Sequence, residues 1–337
     1  MDETAFTILE HQASDGYIWK YRKYVARSPR EGEAPAEPIA SGLGTLDRPV
    51  QDEGSAGASP SRGTSLPSRD TSSPSRSTPQ RGILVFIHGI QSHGGWYEFS
   101  CMTFAQAGYD VYFLDRRGSG MNREARGDAP SFRRLLDDIA EFLAALPRNV
   151  GRVKLPVFLA GISWGGKLAV ALERRHPGLV DGLILLCPGF YAKVRPTLWQ
   201  RVGIVFSRLF QPRKLYPVPL NEPELFTETA YWQDFLRADT GRLLQATARL
   251  LVESVRLDGY LRFCPKYVHV PTLMLLASED RIIRNDWTRD YVERFATPDK
   301  QIIEYEGAHH TLEFEPDPML FINDIQAWLE ARLPTQQ

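Results

Sequence analysis

From residue 82 onward, short apolar runs recur at intervals, and the stretches between them carry apolar residues at three- and four-residue spacing. The runs fall at 83–88, 110–114, 156–160, 182–187, 271–277 and 301–305. Each is too short for a buried helix, and the first, 82–88, is continuously apolar, the pattern of a strand covered on both faces. Helical patterns lie at 97–107, 131–146, 165–176, 286–296 and 317–332. In the second of these, Phe132, Leu135, Leu136, Ile139, Phe142, Leu143 and Leu146 form one stripe. Strands alternating with helices predict an α/β fold with a mostly parallel central sheet covered by helices. The alternation lapses between 189 and 270, where helical patterns dominate. Leu243 to Leu257 reads as a helix with Leu244, Ala248, Leu251 and Val255 on one face. An excursion of that length between sheet strands is expected to form a cap over a ligand site.

Ahead of the alternation, 28–81 holds no Phe, Trp or Tyr, and 25 of its 54 residues are Pro, Gly or Ser. Three tandem heptapeptides lie inside it, beginning at Ser59, Leu66 and Ser73, each with Pro at its second position. Such a segment cannot bury enough apolar surface to offset the entropy of ordering its backbone, and is expected to be a disordered insertion. On its N-terminal side, 15–25 alternates like a strand, with Tyr17, Trp19 and Tyr21 on one face. The insertion is therefore expected where a hairpin loop would join two strands of one domain. The organisation read from the chain is 1–27 (first strand region), 28–81 (insertion), 82–188 (core), 189–270 (helical cap) and 271–337 (C-terminal part of the core).

Composition removes several classes of function. Forty Lys and Arg against 41 Asp and Glu leave a net charge of −1, with no global field to hold nucleic acid. The three cysteines, Cys101, Cys187 and Cys264, form no C-x-x-C pair and no disulfide framework. The first residues lack the basic and apolar regions of a signal peptide, and no run of 18 apolar residues occurs, so the expected location is cytoplasmic.

Gly161-Ile162-Ser163-Trp164-Gly165 is G-x-S-x-G between an expected buried strand and an expected helix. That chemistry needs the serine on a sharp, strained turn, and Gly161 and Gly165 remove side chains that would clash there. A serine hydroxyl needs a base, and His309 and His310 follow the last strand. An acid is expected after the preceding strand, where Asp280 stands beside Glu279. Asp286 and Asp290 belong to the next helix, and His176 and His269 read as a helix end and a strand flank. Two main-chain donors must meet the oxyanion. The Trp164 N–H is one, and the turn after the first buried strand, at Ile90, supplies the other. The Ile90 and Trp164 side chains are then free to line an acyl pocket. His88 is expected to shape this turn rather than react.

Taken in order, His88-Gly89, Ser92-His93-Gly94-Gly95-Trp96-Tyr97, Leu114-Asp115-Arg116-Arg117-Gly118-Ser119-Gly120, Gly161 to Gly165, Asp280 and Gly307 to Glu315 resemble the α/β-hydrolase superfamily. Within it the likeness is to the monoacylglycerol lipase and lysophospholipase branch, related to the serine aminopeptidases, over about 5–25 and 82–333. The family's G-x-x-H-x-x-x-x-E spacing selects His310, with Glu315 following. Two features depart from it: Ile90-Gln91-Ser92 in the first turn, and the insertion. The resemblance implies a carboxylic ester hydrolase working through Ser163, Asp280 and His310, with no metal or organic cofactor and a small-molecule or lipid ester as substrate. It fixes no oligomeric state. In the cap, 197–210 is strongly apolar and flanked by Arg195, Arg201, Arg208, Arg213 and Lys214. Trp199 and Phe206 there are candidates for acyl-chain or peripheral membrane contact. A peptidase of this branch would need acidic residues for the substrate amine, which Glu222, Glu224 or Glu228 offers. Carbon–carbon bond hydrolases and non-catalytic binding scaffolds share the fold, whereas haloalkane dehalogenation would need Asp at position 163.

Overall fold

A computed structural model describes residues 6–26 and 80–333. The expected insertion lies, apart from Gln80 and Arg81, outside the described residues. Twelve strands and eight α-helices follow in chain order among them: β1 Thr7–Gln12, β2 Ile18–Tyr24, β3 Gly82–Ile87, α1 Glu98–Gln106, β4 Tyr109–Leu114, α2 Phe132–Ala145, β5 Asn149–Val150, β6 Val153–Lys154, β7 Val157–Ile162, α3 Trp164–Arg175, β8 Gly182–Leu186, α4 Leu198–Phe210, β9 Leu215–Pro217, α5 Ala230–Ala238, β10 Gln245–Thr247, α6 Ala248–Leu261, β11 Thr272–Ala277, α7 Asn285–Glu293, β12 Lys300–Tyr305 and α8 Met319–Glu330.

Eight strands form one sheet in the order β1-β2-β4-β3-β7-β8-β11-β12. The pairs from β4 to β12 are parallel, and β1 and β2 add an antiparallel edge. Every residue of β3, β4, β7, β8 and β11 is buried, as their unbroken apolar runs required. Helix α1 packs with α8, and α2 with α3. The stripe expected on α2 is its buried face, and Ser131 caps the helix by accepting from the Arg134 N–H at 3.1 Å.

From β3 the chain moves to β4 on one side and later to β7 on the other, so the strand order reverses at β3. The turns leaving β3 and β7 diverge there and open a crevice at the carboxyl edge of the sheet, where α/β folds bind ligands. Those two turns carry Gly89-Ile90 and Ser163.

The structure corrects two expectations. Strand β2 does not pair with β3, because β4 lies between them, with Tyr24 and Leu84 both opposite Val111. The segment from 27 to 79 therefore joins strands two positions apart rather than closing a hairpin. The cap helix also begins later than its apolar pattern suggested. Residues 245–247 form β10, paired with β9, and Thr247 caps α6 by accepting from the Leu250 N–H. Its buried face is Ala248, Leu250, Glu253, Leu257 and Leu261, while Val255 is 70% exposed. A buried glutamate in that stripe hid the face from a purely apolar pattern. The Glu253 carboxylate accepts from the Phe132 N–H at the start of α2, where the helix dipole favours negative charge.

Tyr24 and Leu84 stand two strand spacings apart, about 10 Å. A Gly/Ser linker of about eight residues spans that gap easily. Replacing residues 27–79 with such a linker is expected to leave the melting temperature within about 3 °C of the parent. A collapse of the thermal transition would show that the segment belongs to the folding unit.

Candidate active site

Strand β7 delivers the chain to Ser163, whose backbone adopts φ 50° and ψ −117° before α3 begins. That region is costly for any residue with a side chain, so the surrounding packing must hold it. A Cβ at Gly161 would lie 2.7 Å from the Gly166 Cα, and one at Gly165 would strike the Ile87 carbonyl. The two glycines therefore let α3 press onto β3 and β7. The Ser163 N–H donates to the Leu186 carbonyl at 2.9 Å, and its carbonyl accepts from Gly166 and Gly189.

His310 Nε2 lies 2.9 Å from Ser163 Oγ, and its Nδ1 lies 2.6 Å from Asp280 Oδ2. The other Asp280 oxygen accepts from the Ile282 and Ile283 N–H groups at 2.7 and 3.0 Å. With its carboxylate so occupied and fully buried, Asp280 can take only the Nδ1–H of the imidazole, leaving Nε2 facing the hydroxyl. Glu279 is exposed, as are Asp286 and Asp290 on α7. His309 turns away to Glu315 at 3.2 Å and Glu228 at 3.5 Å. Glu315 Oε1 also accepts the His309 N–H at 2.7 Å, which ties down the loop holding His310. His176 pairs with Asp137, and His269 is exposed.

Cys187 joins Asp280 and His310 within 4.8 Å, a set of donor types that can ligate a metal. Burial and the Asp280 charge push the Cys187 thiol well above its usual range, and the other two groups are already bonded to each other. The set fits a hydrogen-bond chain better than a metal site.

The first turn abuts the serine: a Cβ at Gly89 would lie 3.3 Å from the Ser163 Cβ. His88 is fully buried, and its Nε2 accepts from the Arg116 N–H at 3.0 Å. Its Nδ1 must then carry the proton, which it donates to the Gly89 carbonyl at 2.7 Å. Burial first, and then the Arg116 charge, lower the His88 pKa well below the ordinary value, so it stays neutral as this geometry requires. Asp115 accepts from the Gly94 N–H at 2.8 Å and the Met121 N–H at 2.9 Å, tying the turn to β4.

The cap grips the same turn from its other side. Arg242 donates to Gln91 Oε1, and the Leu243 N–H donates to the Gln91 carbonyl. Asp239 accepts from the Trp96 indole N–H at 2.7 Å and lies 3.0 Å from His93 Nε2. Phe226 of the cap stands edge-on to the His310 ring at 6.0 Å and to Trp96 at 5.5 Å, making an apolar wall beside that imidazole. None of these cap contacts is legible in the sequence, where between 84 and about 150 residues separate the partners.

Other expected residues fall elsewhere. The Trp164 indole is not free to line a pocket, because its N–H donates to Ser254 on α6 and Arg116 covers its ring at 4.7 Å. Trp199 and Phe206 lie on the outer face of α4, 82% and 64% exposed. No helix of the described residues is long and apolar enough to cross a membrane.

A serine on a strand-to-helix elbow, with imidazole and carboxylate behind it at the carboxyl edge of a mainly parallel sheet, defines the α/β-hydrolase fold. The family model for serine aminopeptidase, S33, matches residues 78–317, and the chain belongs to that family. It is 28% identical over 270 residues to the monoacylglycerol lipase of Mycolicibacterium smegmatis, covering 76% of this chain and 90% of that one. It is 24% identical over 246 residues to phospholipase YtpA of Bacillus subtilis, covering 70% and 90%. Among solved structures, a soluble variant of the Saccharomyces cerevisiae monoglyceride lipase in complex with a substrate analogue superposes with a TM-score of 0.73. The identity is 17%, over 99% of this chain and 98% of that one, a likeness of fold.

Glu313, in the turn after His310, gives a stability test. It is fully buried against Ser100, and desolvation raises its pKa to about 7 despite the Ser100 hydrogen bonds. A raised carboxyl pKa means the folded state holds the proton more tightly than the unfolded state. Its contribution is therefore full below about 4.5 and is lost as pH rises through about 7. Glu313→Gln removes that titration. The melting temperature of the variant is expected to fall less than the parent's between pH 5 and 8, with parallel curves as the contrary result.

Proposed function

We propose that this chain is a serine hydrolase of lipid esters, with monoacylglycerols or lysophospholipids as its substrate class. The observation that carries the reading is the continuous hydrogen-bond chain from Ser163 Oγ through His310 to Asp280, on the strained elbow. In the first step His310 Nε2 takes the hydroxyl proton as Ser163 Oγ attacks the ester carbonyl carbon. The Ile90 and Trp164 N–H groups stabilise the oxyanion, the latter as an unpaired donor in the first turn of α3. The tetrahedral intermediate collapses, the C–O bond to the alcohol breaks, and His310 returns its proton to the departing oxygen. Water then gives a proton to His310 and attacks the acyl-enzyme, releasing the carboxylic acid and restoring Ser163. Asp280 stabilises the imidazolium in both halves.

A lipid substrate is supported by the two relatives' names and by the cap. Besides Trp199 and Phe206, the outer face of α4 exposes Leu198, Val202, Val205, Leu209 and Phe210. At its C-terminal end a hollow of about 530 Å³ is lined by Gln211, Pro212, Arg213, Lys214 and Arg249. An apolar face beside a basic hollow suits contact with an anionic lipid surface, the apolar side chains entering the acyl boundary and the cations meeting phosphate. Recognition of a peptide amine is less well supported. Glu224 pairs with Arg237 and Glu228 with Arg281, so neither carboxylate is free for the substrate.

The first test is a substrate panel of monoacylglycerols, lysophospholipids, short esters and aminoacyl amides, read alongside fluorophosphonate labelling. Esters are expected to turn over and amides not, with Ser163→Ala lowering kcat at least a thousandfold. Activity that survives in Ser163→Ala would end the account. A wild-type chain that takes no label would point to a binding scaffold instead.

The second test concerns the cap. Trp199→Ser with Phe206→Ser is expected to abolish co-sedimentation with phosphatidylglycerol-containing vesicles and to slow turnover of vesicle-borne substrate, while a water-soluble short ester is still cleaved. Unchanged vesicle binding would remove the membrane role.

A further inference from the structure

Arg116 stands in the Leu114-Asp115-Arg116-Arg117-Gly118 segment after β4, and the reaction steps above make no use of it. Its residue is buried, and a single nitrogen, Nη2, donates to the carbonyls of Gly89 and Ile90, each at 2.9 Å. Its guanidinium lies over the Trp164 ring, 4.7 Å from the centroid. Among the described residues its Nε and Nη1 find no hydrogen-bond partner, so the two carbonyls take all of its side-chain hydrogen bonds. Burial lowers its pKa to about 9, against the pull of Asp115, and it remains a cation at neutral pH.

The peptide that joins Gly89 to Ile90 has the Gly89 carbonyl at one end and the Ile90 N–H at the other. It is trans, as all the described peptides are, so the two groups point in opposite directions. Holding the carbonyl from behind therefore fixes where the N–H aims. Two donors hold it: Arg116 Nη2 at 2.9 Å and His88 Nδ1 at 2.7 Å. The Arg116 main-chain N–H in turn fixes His88 at 3.0 Å, closing a ring of hydrogen bonds behind the turn. Donation to a carbonyl also polarises its peptide and makes the attached N–H a better donor. The stacked face of the same guanidinium rests on Trp164, the residue whose N–H supplies the other oxyanion donor.

We propose that Arg116 is a positioning residue for the oxyanion hole, setting the aim and polarity of the Ile90 N–H and bracing it against Trp164. The inference rests on the reading that these two N–H groups receive the oxyanion. It makes Arg116 matter to the tetrahedral species and not to the ground-state ester.

Arg116→Met keeps the bulk and removes the donors, whereas Arg116→Lys keeps the charge and one donor. The probes are a p-nitrophenyl butyrate assay and an alkyl trifluoromethyl ketone, which forms a tetrahedral adduct on the serine. For folded Arg116→Met, kcat is expected to fall about ten- to a hundredfold with KM within about twofold. Affinity for the ketone should fall by the same factor, and Arg116→Lys should recover part of both. In wild-type protein labelled with [15N]isoleucine, the Ile90 amide proton, assigned with Ile90→Val, should move downfield when the ketone adds. A kcat within twofold of wild type, or a loss confined to KM, would overturn the proposal. If neither variant folds, the wild-type Ile90 signal decides: a downfield shift supports it and an unmoved signal overturns it. A wild-type Ser163 that takes neither fluorophosphonate nor ketone would instead sink the hydrolase reading itself.

Discussion

Ser163 sits in a backbone conformation that no side-chain-bearing residue adopts freely, and much of the core is arranged to keep it there. That strain must be held by the surrounding packing, and α3 lies close against β3 and β7. That approach requires Gly161 and Gly165, since a Cβ at either meets backbone atoms that cannot yield. It also requires the fully buried parallel strands, whose interior packing makes the edge of the sheet rigid. A serine held on such a turn has little freedom to relax, and its hydroxyl lies 2.9 Å from His310 Nε2.

Around that point three separate chain segments meet the turn after β3. Asp115 and Arg116 hold it from the end of β4, α3 bears on it from below, and Arg242, Leu243 and Asp239 reach it from the cap. The cap is thus anchored at the turn beside Ser163, while α4 carries its apolar face outward. A change in the cap near residues 239–243 would be felt at the Gly89–Ile90 turn through Gln91 and His93. A change on the outer face of α4 has no such direct route.

How much of this was legible in the chain follows from how local each signal is. Gly161, Ser163 and Gly165 act within five residues, and their spacing between a buried apolar run and a helical pattern revealed the elbow. Asp280 and His310 each follow a strand, and the structure brings both side chains to Ser163, with the family spacing pointing to His310 rather than His309. The structure gives the reason: His309 is bonded to Glu315, the residue that ends that spacing. The β2–β4 pairing was not legible, since neither the alternation of β2 nor the apolar runs of β3 and β4 mark which neighbour each strand takes. Helix α6 was misplaced for a different reason. Its buried stripe contains Glu253, whose burial makes sense only once the start of α2 is known to lie against it. Arg116 was visible in a quoted motif, but its meaning depends on two carbonyls some 26 residues earlier.

The two faces of the cap bear on what kind of ester suits the site. Its inner side sets Phe226 against the base and stacks Trp232 on Phe314 at 4.4 Å, so the wall beside His310 is aromatic rather than charged. A substrate that places an ammonium group there would lose its water beside aromatic rings, and Glu224 and Glu228 are already paired with arginines. A single acyl chain suffers no such loss, because leaving water for an aromatic wall is favourable. The outer side of the same element exposes large apolar residues that monomeric surfaces ordinarily keep few of. Apolar matter on both faces is consistent with a substrate that is itself apolar and arrives from an apolar phase. The family description names a peptidase, but the chemistry of this cap favours a lipid.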